Sequence, residues 1–488
     1  MITKSLGKAL FRYFQIVVFM CSICLFVWAQ IHKDNIQLFF SLGLLYIANL
    51  SYGIEKISKR FIFFLFNFAC IFFLYGRTFI KILTFDNWMG DYSFKSHHDT
   101  ITIIYVSMLF LLFGAVFYDQ FKDRKEHSPK RIIRNSIYES KEYLKNLQIL
   151  SFLIYIVLAI FMLAVEIEKP IKLHGAAYTD YYNSFESSLP GIVLSLSALA
   201  KFVLCVFLAT MPSKTWSFIA LGIYVVSAVP VFIVGQRNKF ISAALFVICY
   251  YFLRDYADKS NLEKHKKWFG KFEKTTIAIA LPFVFAFLSI YESIRLDLEV
   301  KDINILNSVK DLFYSQGVTY DVICKCMERR AELPSTNFNY TFGALINYLK
   351  GNSFGAFLGF ESYKSQTVEA ALYGNSLGDT ISYIDLGSKY FEGAGLGSSY
   401  IVENYIDFGY IGVIILSFLL GMFLIWLVKN FNKNIFASYV VLVSLLQLFM
   451  LPRSSASGWL VLIIYIPAIF FVGILLFASY LCQKEYYK

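Results

Sequence analysis

Charged residues are scarce in this chain: only 16% of its 488 residues are Asp, Glu, Lys or Arg. A soluble globular protein carries roughly 25%, so this sequence cannot clothe a water-exposed surface of its length. Histidine is scarcer still, with six in total and none after His265. No Asp/His cluster stands at metal-ligand spacing, and the sequence implies neither a metal nor a cofactor. The His97–His98 pair reads as a solvated loop pair. Cysteine supplies no framework of bridges. Of the eight cysteines, Cys21, Cys24, Cys70, Cys205, Cys249 and Cys482 lie in or beside apolar runs, where Cys behaves as a small core residue. Cys324 and Cys326, in "CKC", are too closely spaced for an easy disulfide and lack a second ligand pair. Internal repeats are absent. The formal net charge of +11 does not point to nucleic acid, because basic residues in such a chain belong on cytoplasmic loops, where they set orientation.

Hydrocarbon is abundant instead: 57% hydrophobic residues and 19% aromatics, with a mean hydropathy of +0.57. The apolar residues fall in runs of about 18 to 23, the length that crosses a bilayer as a helix. The expected fold class is an all-α polytopic membrane protein with about twelve spans, near 13–31, 36–54, 61–83, 100–121, 147–167, 190–211, 216–234, 240–254, 275–294, 405–428, 435–451 and 458–482. The first run has a basic flank but is too long for a cleaved signal, and no small-x-small site follows it. Alternate connections, "EKISKR", "KDRKEHSPKRIIRNSIYESKEYLKN", "PSKT", "RDYADKSNLEKHKKWFGKFEK" and "KNFNKN", are basic, whereas the opposite connections "HKDN", "DNWMGDYSFKSHHDT" and "EKPIKLHGAAYTDYYNSFESSLP" are neutral or acidic by comparison. The positive-inside rule then places both termini in the cytoplasm. The chain divides into nine spans over 1–294, one large outer loop over 295–404 and three spans over 405–488. Within the loop, "DINILNSVKDLFYSQGVTYDVICKCMERRAEL" has helical spacing suited to one or two interfacial helices. The following Gly-, Ser- and Tyr-rich stretch reads as an ordered loop region.

Three arginines, Arg237, Arg295 and Arg453, fall on the outer side near helix ends, where the orientation rule disfavours cations. Each alone is compatible with snorkelling to lipid phosphates, and Arg295 has Glu292 one turn earlier as a partner. Together, beside the large loop, they suggest a shared anion site. Guanidinium groups stay charged and present forked donors that match phosphate oxygens, so a lipid-linked sugar diphosphate is the suggested ligand. Lys201, in the middle of the sixth span, is unusual enough to be functional by default, without an assigned role.

The stretch "YFEGAGLGSSYIVENYIDFGYIGVIILSFLLGM" resembles the Wzy family, the bacterial O-antigen and oligosaccharide repeat-unit polymerases. The resemblance is carried by Gly395, Gly397, Ser398, Ser399, Glu403, Phe408, Gly409, Gly412 and Gly421. "SQGVTYDVI", "VGQRNKF" and "LPRSSASGW" add to it, over roughly residues 230–480. The resemblance implies a GT-C-like, lipid-donor glycosyltransferase architecture in the bacterial inner membrane, with its active site facing the periplasm. It implies transfer of a glycan from undecaprenyl diphosphate to a second lipid-linked repeat unit, with inversion, and as partners a chain-length regulator and flippase. Arg237, Arg295 and Arg453 are then expected to hold the diphosphates, with Arg295 also catalytic. Glu403 is the first choice for the catalytic base, with Glu292 and Asp321 as rivals; the competing reading of Glu403 is a helix-start carboxylate favoured by the macrodipole. Gln316 and Tyr320 are expected to bind sugar. A flippase or polysaccharide transporter is the main alternative, but the halves show no repeat and the polar residues gather on one face, unlike a midplane path. An O-antigen ligase is the second alternative, and the lack of an outer-loop histidine argues against it. Reporter fusions at residues 237 and 453 are expected to register as extracytoplasmic; a cytosolic signal from either would invert the whole arrangement.

Overall fold

The computed structural model describes residues 2–84, 86–125, 140–172, 185–233, 237–259, 268–271, 273, 275, 305–334 and 339–485. Every regular element among them is helical. Among the described residues, eleven helices are long and apolar enough to cross a membrane. In chain order they are α1 (Leu6–His32), α2 (Asn35–Glu55), α3 (Ile57–Leu83), α4 (Phe94–Phe121), α5 (Lys141–Lys172) and α6 (Gly191–Ala209). They continue with α7 (Lys214–Phe232), α8 (Asn238–Asp258), α9 (Tyr400–Asn430), α10 (Ile435–Arg453) and α11 (Gly458–Gln483). Each corresponds to one of the spans expected from hydropathy. The remaining span, 275–294, lies outside the described residues, and so does Arg295. The described residues flanking that stretch stand at opposite ends of the bundle: Glu273 pairs with Lys214, at the start of α7, and Gln316 pairs with Arg453, at the end of α10.

Small residues bring the two central helices together. A Cβ added at Gly114 of α4 would sit 1.9 Å from the Phe418 carbonyl oxygen, and one at Gly421 of α9 would sit 2.0 Å from that of Leu111. The two backbones are therefore in direct contact, which only glycine permits on both sides. Ser107 seals the same seam, 2.8 Å from the Ser417 hydroxyl and 3.0 Å from that of Tyr400. Elsewhere in the hydrocarbon layer, Asn49 donates to Asn67 at 2.9 Å. Polar groups at this depth have no water to turn to, and these pairings supply partners from within the bundle.

Among the described residues, charge gathers towards the two ends, with Lys201 midway along α6 as an exception. At the end expected to face the cytoplasm, buried Asp119 accepts from Arg60 (2.6 Å) and pairs with Lys429 (2.7 Å), while Arg60 also reaches Glu55 (2.9 Å). Buried ions are tolerable when fully paired in this way. The opposite end carries the loop. Helix Ile305–Gln316 leans on α3 where that helix widens into a π turn, Ile71–Tyr75, with the Phe72 and Phe313 rings 4.9 Å apart. Helix Thr319–Glu328 docks on α4 through Tyr320, whose hydroxyl lies 3.0 Å from His97 Nδ1. Arg77 of α3 pairs with Asp321 at 3.2 Å; burial pushes that carboxyl above the ordinary carboxylate range, and the Arg77 guanidinium pulls it back.

Three local expectations change. His97 is buried rather than solvated. The second loop helix packs its buried Tyr320, Ile323, Cys324 and Cys326 onto the bundle and does not lie on a membrane surface. The Gly/Ser/Tyr-rich stretch folds into short helices, including Gly343–Gly351, Val368–Tyr373 and Leu377–Leu386. In each case a partner distant in sequence supplies the burial. Gly421→Leu is expected to force α4 and α9 apart and cost roughly 1–3 kcal/mol, read as a lowered thermal midpoint of the detergent-purified protein; an unchanged midpoint would mean the seam is not tight.

Candidate functional site: a cationic cavity at the loop-side end

A cavity of about 570 Å³ opens where α5, α6, α7, α8, α10 and α11 converge at the loop-side end. Among the described residues, three cations line it, Lys201 from α6, Lys239 from α8 and Arg453 from the end of α10, with one carboxylate, Glu166 from α5. Gln447 and Asn238 add neutral hydrogen-bonding groups, and Met162, Met450 and Leu462 give apolar wall. Glu166 is already shared: it accepts from Lys169 at 2.8 Å and from Lys239 at 3.2 Å. Among the described residues, positive charge in the cavity exceeds the negative charge that faces it, and an anion is complementary to that set.

Arg453 is placed by a turn that the sequence dictates locally. The α-helical part of α10 ends at Leu445, and a 3-10 turn, Leu448–Arg453, follows with Pro452 inside it. Proline has no N–H to continue the helical ladder. From this turn Arg453 donates to the Gln316 side chain at 2.8 Å and lies 6.0 Å over the Phe73 ring, in the π turn of α3. Such π turns are frequent at functional sites because they re-aim side chains.

Glu403 anchors the same turn from the other side. It lies in the first turn of α9 and is 1% exposed. One carboxylate oxygen accepts from the Ser398 hydroxyl at 2.7 Å, and the other accepts from the Ala456 backbone N–H at 2.7 Å. The Gly-rich segment before α9 and the Pro-Arg turn after α10 are thereby tied through one side chain. Gly409, six residues on, interrupts α9 with φ +62°, a left-handed conformation that glycine adopts without penalty. The short piece of α9 carrying Glu403 is thus free to take its own direction.

The residues singled out from sequence are distributed unevenly. Arg453 and Gln316 meet. Arg237 begins the helix whose next two residues, Asn238 and Lys239, line the cavity. Arg295 and Glu292 lie outside the described residues. Glu403 is bound in its tie and is not part of the cavity wall, an arrangement that resembles the helix-start reading with two tertiary hydrogen bonds added. Asp321 is engaged with Arg77. Tyr320 is 1% exposed, with its hydroxyl against His97, which leaves no ring face for a sugar. Lys201 acquires a location beside Arg453 and Lys239. Glu166 and Lys239 were not selected as site residues; their signals were the acidic "EIEK" at the end of a span and the polar notch "VGQRNKF", which carries Lys239 beside Arg237.

A helical membrane protein with an unbalanced cationic cavity at one end of its bundle is suited to anionic lipid-borne ligands. The chain belongs to the O-antigen polysaccharide polymerase family, Wzy, whose family model matches residues 11–485. That match extends well beyond the stretch that carries the motif resemblance and includes the N-terminal half. No curated relative and no solved structure matches the chain. Glu403→Ala would strand the Ala456 N–H and the Ser398 hydroxyl, at roughly 1–3 kcal/mol for an unsatisfied buried group. Glu403→Gln keeps a carbonyl acceptor and is expected to recover at least half of that loss in thermal unfolding; equal losses would contradict the tie.

Proposed function

We propose that the protein joins lipid-linked oligosaccharide repeat units into an O-antigen or capsular polysaccharide. Donor glycan and acceptor unit are each carried on undecaprenyl diphosphate, and the reaction runs at the periplasmic face of the bacterial inner membrane. The observation that carries this reading is the convergence of Arg453, Lys201 and Lys239 on one cavity where Glu166, already shared, is the one carboxylate among the described residues. In the reaction, the acceptor hydroxyl oxygen attacks the anomeric carbon of the donor. The bond from that carbon to the diphosphate oxygen breaks, and undecaprenyl diphosphate leaves with the electron pair. Attack opposite the leaving group inverts the centre. Fixed cations stabilise the charge growing on the diphosphate in the transition state.

Arg453 is assigned to the leaving diphosphate, with Lys201 and Lys239 beside it. Arg237 and Arg295 are assigned to the same anion. Gln316 positions Arg453, and Glu403 positions the turn that bears it. The hydroxyl proton passes to Glu166, the carboxylate that faces the cavity. A chain-length regulator and a flippase are expected to work with the protein in the same pathway. A transport role finds less support: the two halves of the sequence show no repeat of the kind transporters carry.

Two measurements test the assignment. Purified protein is expected to lengthen a lipid-linked repeat unit with no energy source, which a transporter would not do. In a strain lacking its own copy, Arg453→Ala is expected to lower polymerisation about 10²- to 10³-fold, the usual effect of losing one transition-state donor, leaving at most one repeat unit per lipid A-core. Arg453→Lys should retain part of the activity if charge dominates. Glu166→Gln is expected to cost about 10²-fold or more, and Glu403→Gln far less. A normal ladder of long chains from Arg453→Ala, at wild-type protein level, would remove the arginine from the mechanism.

A further inference from the structure

The loop contains a segment whose chemistry does not match water. Residues 351–360, "GNSFGAFLGF", carry no charge and are flanked by Lys350 and Glu361. Phe357 is 85% exposed, and Leu358, Phe360 and the nearby Leu349 are about half exposed. A contiguous apolar cluster of this kind on a water-facing loop would be an aggregation liability, and it usually marks a surface that something covers.

Its attachment indicates what covers it. The preceding helix, Gly343–Gly351, is fastened to a membrane-spanning helix: the Tyr348 hydroxyl accepts from the Ile466 backbone N–H at 2.8 Å, and the Tyr348 and Tyr465 rings are 6.0 Å apart. That N–H is available because α11 breaks at Ile464–Tyr465, between Gly458–Ile463 and Ile466–Glu485. From Ile466 to Gln483 the helix rises about 27 Å at 1.5 Å per residue, close to the thickness of the hydrocarbon core. Tyr348 therefore meets α11 near the edge of the hydrocarbon. Ile466, Ile469 and Phe470, on the same helix, are themselves exposed on its lipid side.

We infer that residues 351–360 are inserted into the headgroup and acyl boundary of the leaflet on the loop side. Phe357, Leu358 and Phe360 enter the acyl region while Lys350 stays level with the lipid phosphates. Short apolar segments with a basic flank bind bilayers in this manner. The insertion borders the cavity, since Leu462, in the helix Gly458–Ile463, lines it. It thus stands on the side from which a lipid enters.

The test is photolabelling of the purified full chain in nanodiscs made with a phospholipid that carries a diazirine in its acyl chain. Labelled peptides are then mapped by mass spectrometry. Label on 351–360 comparable to that on Ile466–Glu485, and well above that on 364–392, is the expected result. Phe357→Asp combined with Phe360→Asp should abolish label on the segment and leave α11 labelled, which also shows the variant to be folded. An unlabelled 351–360 beside a labelled α11 would overturn the proposal and assign the cluster to a partner protein. Because the readout is lipid contact alone, it stands or falls separately from the polymerase reading.

Discussion

Hydrocarbon provides no hydrogen-bond partner, and this constraint organises the molecule. Every polar group within the bilayer thickness must meet another polar group of the protein or stand beside an aqueous space. Asn49 meets Asn67, Ser107 meets Ser417, and Asp119 is held between Arg60 and Lys429. At the loop-side end the balance is different. Among the described residues, Lys201, Lys239 and Arg453 share a cavity with Glu166 as its one carboxylate, and Lys169 draws on the same group. Positive charge gathered among these residues is complementary to an anion.

The cavity depends on pieces far apart in the chain. Arg453 sits in a turn that Glu403 clamps through Ala456, fifty-three residues away, and that Gln316 steadies from the loop, 137 residues away. The π turn of α3 supplies Phe73 beneath the guanidinium. Loop and bundle therefore form one assembly: helix Thr319–Glu328 is buried against α4, and Arg77 and Asp321 pin its first turn to α3. A polymerase must bring two lipid-borne glycans to one point, and a site assembled from loop, turn and bundle can contact both the lipid head and the sugars.

Several features were legible in the sequence because they depend on local composition alone. The apolar runs set the spans, since a helix needs a fixed number of residues to cross hydrocarbon. The alternation of basic connections set an expected orientation. The Gly-rich motif before α9 and the Pro-Arg turn after α10 were visible as breaks in helical pattern, and both prove to be neighbours of Arg453. His97 and Tyr320 read differently for the opposite reason: each looks polar and loop-borne in isolation, and packing buries both, with the His97 ring against Trp88, Tyr92 and Tyr320.

By itself, the sequence determined a bundle of membrane-spanning helices, its polarity expectation and the positions where helices must stop, because hydropathy, charge and glycine or proline act over a few residues. Tertiary structure alone decided which charges meet. Lys201, Lys239 and Glu166 come from three helices separated by loops, and no periodicity relates them. Whether a carboxylate serves chemistry or binds a turn, as Glu403 does, depends on which N–H stands opposite it, and packing sets that.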